Sequence, residues 1–522
     1  MTPRARLFVA LSLALTTPAT AVADPVLTAI RLAPQDGGGG SGGVTPAAPT
    51  TGAAPAPMLA DVAGPARAVG LPELLELAVR QAPALAQARI DLEVAEAQIA
   101  QAQAWSDWAL GAGVAGSTRV TGGAISRQDG ISVSADLARR ISTGGTVALH
   151  AEGGWSRQDV ALGGVETTTR NYDARLSLGL TQPLLRGRGR AQVEASTRIA
   201  LTSRSAADVA SRAAAIALVR DLVLGYLDLI SAERDLEIRR ASLALAQERL
   251  RVTAAGIDKG GIAKAELIPV EQAIATREEE VLGGELAILD QSLALRRQVG
   301  LPIAPGELAL TSTIDLAIPA QSWDQAALVA AAAANSPELA RLAALEAGAT
   351  IEIEVTENGL LPALDLAVTL GPSAVRPASS SEIDPGITAS ISLTYQQSLG
   401  RDAARAQVRR ARAQREGVRV SAADVRNQIV EAVTRTVAQI QVAERRYAIA
   451  VRAVDLAEQN LAVEHARFSL GKSRNVDVLT RQDELRSAQL RAARAIIDWH
   501  RASAVLAALT GEILPRYGIA LP

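Results

Sequence analysis

The stretch AERDLEIRRASLALAQERL at 232–250 returns as AERRYAIAVRAVDLAEQNL at 443–461, a constant offset of 211 residues. Carried on without a gap, the offset lays Gly260 on Gly471, Glu266 on Asp477, Ile268 on Leu479 and Gly300 on Gly511. Shorter echoes lie upstream: AQV at 191–193 and 406–408, and APAL at 82–85 against SPEL at 336–339. Such self-similarity means one supersecondary plan used twice.

The plan is mainly helical. A helical period runs through 71–104, broken at Pro83, and resumes over 187–256 and 264–299 around a turn at 257–263. After a Pro-containing connector at 301–322, the second repeat (323–514) gives a helix over 323–358, a long helix over 400–470, a turn at 471–476 and a helix over 477–509; the tail after 514 is short. A helix of some 70 residues spans about 105 Å. The 264–299 and 323–358 helices have 36 residues each, so two of them stacked match one long helix. Single helices of this length leave apolar stripes on both flanks, which calls for sideways packing into an oligomer.

Each repeat is interrupted by residues of another character. Over about 109–182 and 363–397, Gly, Thr and Ser rise and alternation replaces the helical period. ISVSADL (131–137), TVALHAEGGW (146–155), YDARLSLGL (172–180), LDLAVTL (364–370) and GITASISLTYQQ (386–397) read as strands of about ten residues. They are too few and too polar on one face for a sandwich core. Alternating strands of this length suit a β-barrel in lipid, which must close because an open edge cannot sit there. Four strands per protomer are expected, and six if the RRISTGG turn at 139–145 joins two further strands within the lipid; several chains must then share the barrel. Trp105, Trp108, Trp155, Tyr172 and Tyr395 fall in or beside these segments, where interfacial aromatics belong. Pro183 in LTQPLLRGRGR and Pro362 in LLPAL mark the junctions between strand and helix, since proline cannot donate to a ladder.

The start of the chain supports export. Arg4 and Arg6 precede an apolar run and Ala21-Val22-Ala23 offers a cleavage site, so 1–23 reads as a signal peptide. Residues 24–70, with GGGGSGG and TPAAPTTGAAPAP, read as a disordered leader. No later segment has about 18 apolar residues in a row, so no transmembrane helix is expected. The 522 residues contain no cysteine, which excludes disulfides, thiolate ligands and N-terminal lipoprotein anchoring. A formal net charge of −2 supplies no basic field for nucleic acid. His150, His465 and His500 are widely scattered, and neither a catalytic constellation nor a metal-ligand motif stands out, so no enzyme activity and no cofactor are expected.

Gly471-Lys472-Ser473 is the tail of a phosphate-binding loop, but Ala466 stands where that motif needs glycine and the preceding LAVEHARFSL is helical in pattern. The twin at 259–268, KGGIAKAELI, lacks the Lys-Ser. What the twins share is a glycine followed six residues on by an acid. Gly471 is expected to end its helix in the left-handed conformation. Asp477 is expected to cap the next helix, and Gly260 and Glu266 to do the same in the first repeat.

The tandem repeat, the paired strand insertions, the TQPLLRG exit and the Gly-turn-acid tips resemble the TolC-type outer-membrane efflux and secretion channels over about 71–514. The resemblance implies a homotrimer sharing an outer-membrane β-barrel continued by an α-helical barrel across the periplasm. It implies a passive duct of a tripartite efflux or type I secretion system, working with a periplasmic adaptor and an inner-membrane transporter. It places a channel constriction at Asp477 in VDVL, with Thr480 where a second acid is expected. It places adaptor docking at the turns, on Gly260, Ile262, Glu266, Leu470 and Gly471. The alternative is an exported coiled-coil adaptor or structural protein of the periplasm, which has no need of the strand insertions.

Overall fold

The computed structural model describes residues 67–121, 126–162, 165–303, 310–312, 316–319 and 322–519. The signal-peptide reading and the leader reading as far as residue 66 lie outside these residues. The last leader residues depart from expectation. Arg67–Ala68 form a short strand, β1, paired in parallel with β6 (Leu310–Thr311), and Val69 is buried, its carbonyl accepting from the Tyr226 hydroxyl at 3.0 Å.

The first repeat begins with α1 (Leu71–Gln81) and α2 (Pro83–Gln103), which part at Ala82-Pro83 because proline lacks the N–H that a continuous helix needs. Four strands follow: β2 (Trp108–Thr121), β3 (Ser126–Arg140), β4 (Thr146–Leu162) and β5 (Val165–Pro183). A single turn, α3 (Arg190–Val193), leads into the long α4 (Ala195–Asp258), and α5 (Leu267–Val299) returns beside it.

The second repeat opens with α6 (Gln325–Ala334) and α7 (Pro337–Asn358), separated at Ser336-Pro337 as α1 and α2 are at Ala82-Pro83; the Ser336 hydroxyl accepts from the Leu339 N–H at 3.3 Å. Then come β7 (Ala363–Pro377), β8 (Asp384–Gln396), the long α8 (Asp402–Ser469), its return α9 (Asn475–Leu509) and a last turn, α10 (Ile513–Arg516). The repeat is visible in the backbone. Gly300 and Gly511, 211 residues apart, both adopt positive φ (84° and 78°), the first against Gln81 and the second against Asn335.

α4 packs against α2 and α7 over its N-terminal half and against α5 and α9 over the rest. α8 packs against α7 and then α9. The helices therefore lie side by side in one layer, with α2 and α5 on one flank and α8 on the other. The largest apolar cluster gathers Leu74, Leu222, Tyr226, Ile230, Leu295 and Ile513 where α1, α4, α5 and α10 meet. A second lies under Trp499 between α6, α8 and α9.

The strands form one antiparallel sheet in the order β2-β3-β4-β5-β7-β8. Six strands are present, the larger of the two numbers considered. They run to 13–19 residues, longer than the ten expected, because most continue past the apolar alternation into polar residues that carry no hydropathy signal. β2 has a weak alternation signal for another reason: Gly111, Gly113 and Gly116 dilute its pattern.

Candidate functional site

The register puts most of the large apolar strand residues on one face, Val160 and Val375 being exceptions. One row reads Leu110, Leu137, Leu149, Leu178, Leu370 and Ala389 across the six strands; another carries Val114, Val133, Gly153, Ala174 and Ala374. On β8 the odd positions 387, 389, 391, 393 and 395 are Ile, Ala, Ile, Leu and Tyr, against Thr, Ser, Ser, Thr and Gln at the even positions 388 to 396. Ile387 and Ile391 are about four-fifths exposed (81% and 78%). The opposite face carries Ser134, Asp136, His150, Glu152, Asp173 and Arg175, with His150 Nδ1 2.5 Å from Asp136 Oδ1. A sheet apolar on its exposed face and charged on the other is inside out for water.

The expected aromatics bound this face. Trp155 and Tyr172 are direct cross-strand partners at its far side. Trp108 opens β2 and Tyr395 stands near the end of β8, both toward the helices, with Trp105 in the short 3-10 turn before β2. From Trp108 to Gly116, which lies in the Trp155–Tyr172 row, is eight residues or about 27 Å along the strand.

The two prolines meet. Pro183 pairs with Asp365, Leu184 N–H donates to the Leu364 carbonyl at 2.7 Å and Arg186 N–H to the Pro362 carbonyl at 3.3 Å. Gly187 N–H donates to Asn358 Oδ1 at 2.7 Å. The way out of the first strand set and the way into the second are one junction. The β3–β4 turn is fixed to it by Gln182 Nε2 on the Thr143 carbonyl at 3.1 Å and Gly189 N–H on the same carbonyl at 2.9 Å. Further along the sheet the β5–β7 pairing lapses at Leu176–Ser177 and resumes in the same register, and a Cβ on Gly371 would run into the Leu176 carbonyl oxygen.

Among the described residues no strand lies beyond the sheet edges β2 and β8, and every residue along both is exposed. Unpaired N–H and C=O rows of this length template pairing with another chain.

The two helical turns are superposable in their bonding. Gly260 and Gly471 have φ of 72° and 68°. Gly261 N–H donates to the Gly256 carbonyl and Lys472 N–H to that of Arg467, each at 2.9 Å, the six-to-one bond of a glycine C-cap. The helix starts differ. Asp477 is the third residue of α9 rather than its cap, and Oδ2 accepts from the Arg474 N–H at 2.9 Å. That bond holds its carboxyl below the usual carboxylate range, with Arg474 and Ser473 adding to it. Glu266 does not repeat the role. It precedes α5 in a helical conformation (φ −72°, ψ −8°), makes no capping bond, and buries Oε2 without a partner. A side chain caps from extended backbone, which Glu266 lacks.

Thr480 sits one turn past Asp477, its hydroxyl donating to the Val476 carbonyl at 2.8 Å. Leu470 is exposed, whereas Ile262 folds back on α4, its Cδ1 filling the space of a Cβ on Gly256. What joins the turns has no signature in the sequence pattern. Buried Asn475 takes a bond from Thr253 (3.3 Å) and donates to the Glu266 carbonyl (3.4 Å). Buried Arg277 donates to the Ser242 carbonyl, Gln482 and Asp483 at 3.1–3.3 Å. Arg249 lies 3.7 Å over the Phe468 ring. Ser473, of the Gly-Lys-Ser tripeptide, bonds the Glu464 carboxylate.

Among the described residues no group of His, Asp and Glu is arranged to hold a metal, and no helix is long and apolar enough to cross a membrane. Residues 328–512 match the outer membrane efflux protein family. A curated relative, Nodulation protein T of Rhizobium leguminosarum bv. viciae, is 26% identical over 263 residues, 48% of this chain and 52% of that protein; the match thus spans about half its length. Among solved structures, the outer membrane protein VceC of Vibrio cholerae matches with a TM-score of 0.60 at 18% identity, over 84% of this chain and 96% of that one. The CmeC outer membrane channel of Campylobacter jejuni matches with a TM-score of 0.63 at 13% identity, over 85% of each chain.

Proposed function

From a chain whose residues 328–512 match the outer membrane efflux protein family and whose fold is that of outer-membrane channels, we propose a trimeric exit duct of the outer membrane. Substrate passes through its lumen from an assembly that spans the periplasm, and no chemical step takes place in the chain itself. The observation that carries this reading is the six-stranded sheet with an exposed apolar face, two aromatic borders and two open edges. Lipid covers such a face and neighbouring copies close such edges. Three copies give eighteen strands, a ring wide enough for an aqueous lumen.

The helical layer fits the same assembly. Val420, Ile449 and Val463 on α8 are exposed on one flank, and Ile90 and Val94 on α2 with Leu286 on α5 on the other. Two such flanks cover each other when copies stand around an axis. The turns at Gly260 and Gly471 then face the periplasm. Leu470 and Gly471 are the strongest points there for an adaptor, because they are exposed and nothing stands where a Gly471 Cβ would be. Three copies of Asp477 make an acidic, cation-attracting ring. An inner-membrane transporter chooses the cargo and supplies the energy.

Reconstitution tests this reading. Purified full-length chain added to a planar bilayer should give ohmic single-channel conductance without nucleotide. A protein that stays in the soluble periplasmic fraction and leaves the bilayer silent favours the coiled-coil adaptor instead.

A further inference from the structure

We propose that the apolar face of the sheet ends in a binding site for the phosphate groups of a phosphorylated lipid headgroup, built by Arg157, Arg170 and Arg376. The site rests on the reading of this face as lipid-facing.

Three successive rows of one face carry the argument. The first holds Ile131, Trp155, Tyr172 and Arg376, the second Asp129, Arg157 and Arg170, the third Arg127, Asp159 and Thr168. The chemistry changes within two residues from Leu, Val and Ile to arginine. Four arginines stand against two aspartates in these rows. The second row lies about 7 Å beyond the aromatic pair, the depth at which headgroups begin.

Arg157 and Arg170 are direct cross-strand partners. Like charges so placed oppose the strand pairing, and a multivalent anion between them reverses the sign. Asp159 steadies Arg157 along one edge, Nε to Oδ1 at 3.1 Å and Nη2 to Oδ2 at 3.0 Å, and is itself fixed by the Thr168 hydroxyl at 2.7 Å. Arg170 and Arg376 have no carboxylate partner among the described residues; Arg376 lies 5.0 Å from the Tyr172 ring, diagonal to Arg170. Planar guanidinium groups pair with phosphate through two parallel N–H bonds. Solvent-exposed arginines hold free phosphate weakly. A phosphate whose acyl chains run along the strands over Ile131, Val133 and Leu176 is bound at two places at once, which selects a lipid over the free ion. On this face the matching lipid is a phosphorylated glycolipid of the outer leaflet.

The test is native mass spectrometry of the full-length assembled chain in nanodiscs with phosphorylated or phosphatase-treated lipid A. Phosphorylated lipid A should bind at least about 10-fold more tightly, as expected of charge-assisted bonds. Arg157→Ala with Arg170→Ala should erase that preference, and Arg157→Lys with Arg170→Lys should keep part of it, all at unchanged conductance. Equal binding of both lipids by a conducting wild type, or an unaltered preference in the alanine variant, overturns the site alone. Displacement by millimolar inorganic phosphate overturns its assignment to lipid. A chain that neither conducts nor assembles overturns the duct reading and this site with it.

Discussion

Arg277 on α5 and Asp483 on α9 meet at 3.1 Å although 206 residues separate them. The guanidinium is almost wholly buried and also reaches Gln482 and the Ser242 carbonyl. The contact ties the returning helices of the two repeats near the turns, where the proposed duct would have its mouth.

Removing Arg277 should loosen that mouth. Arg277→Ala leaves Gln482 without its donor and a void beside Ser242, at a cost of about 2–3 kcal/mol. Hydrogen exchange over 475–486 should speed up by about 100-fold, while exchange around Trp499 stays as it was. Lysine at 277 should recover only part, because it lacks the fork that reaches three partners.

Asp477 gives a prediction in pH. Its carboxyl is held below the ordinary range in the folded chain. The bond to Arg474 therefore contributes fully above the unfolded value of about 4 and is lost as pH falls through the lower folded value. Cation preference of single channels should stay flat from pH 7 to 5 and fall only below about 4. Asp477→Asn should lower it throughout that range. A preference that already fades between pH 7 and 5.5 would assign it to another group.

Two glycine-to-alanine changes should have opposite signs. Gly371→Ala drives a methyl against the Leu176 carbonyl and should cost about 2–3 kcal/mol as the strands shift, seen as a lower temperature for loss of the oligomer on SDS gels. Gly417, inside α8, has nothing within 4 Å of a Cβ. Its replacement by alanine should raise helix stability by about 0.5–1 kcal/mol.

Much of this was legible in the residues. The 211-residue offset foretells that Gly260 and Gly471 turn alike, because left-handed backbone is a local property of glycine. Pro83 marks its helix break for an equally local reason, whereas the break at Pro337 falls inside the single helix expected over 323–358. Strand alternation gave the apolar face but not its extent, since Arg127 and Asp159 prolong their strands without any hydropathy signal. Glu266 shows the limit of the repeat: it aligns with Asp477, yet a 3-10 turn over Lys264–Glu266 puts it in the wrong conformation to cap. Arg277 and Asn475 were invisible as site residues because their burial depends on the other repeat.

In the proposed ring, β2 of one copy pairs with β8 of another. The chain has no cysteine, so a single residue on each edge can be replaced without background. Cysteines substituted in turn at Ser117 or Gly113 on β2 and at Ser390 or Ser392 on β8 should, in one pairing, give disulfide-linked species that stop at three chains. Only monomer in every pairing, or a ladder that climbs past three without limit, would contradict the account.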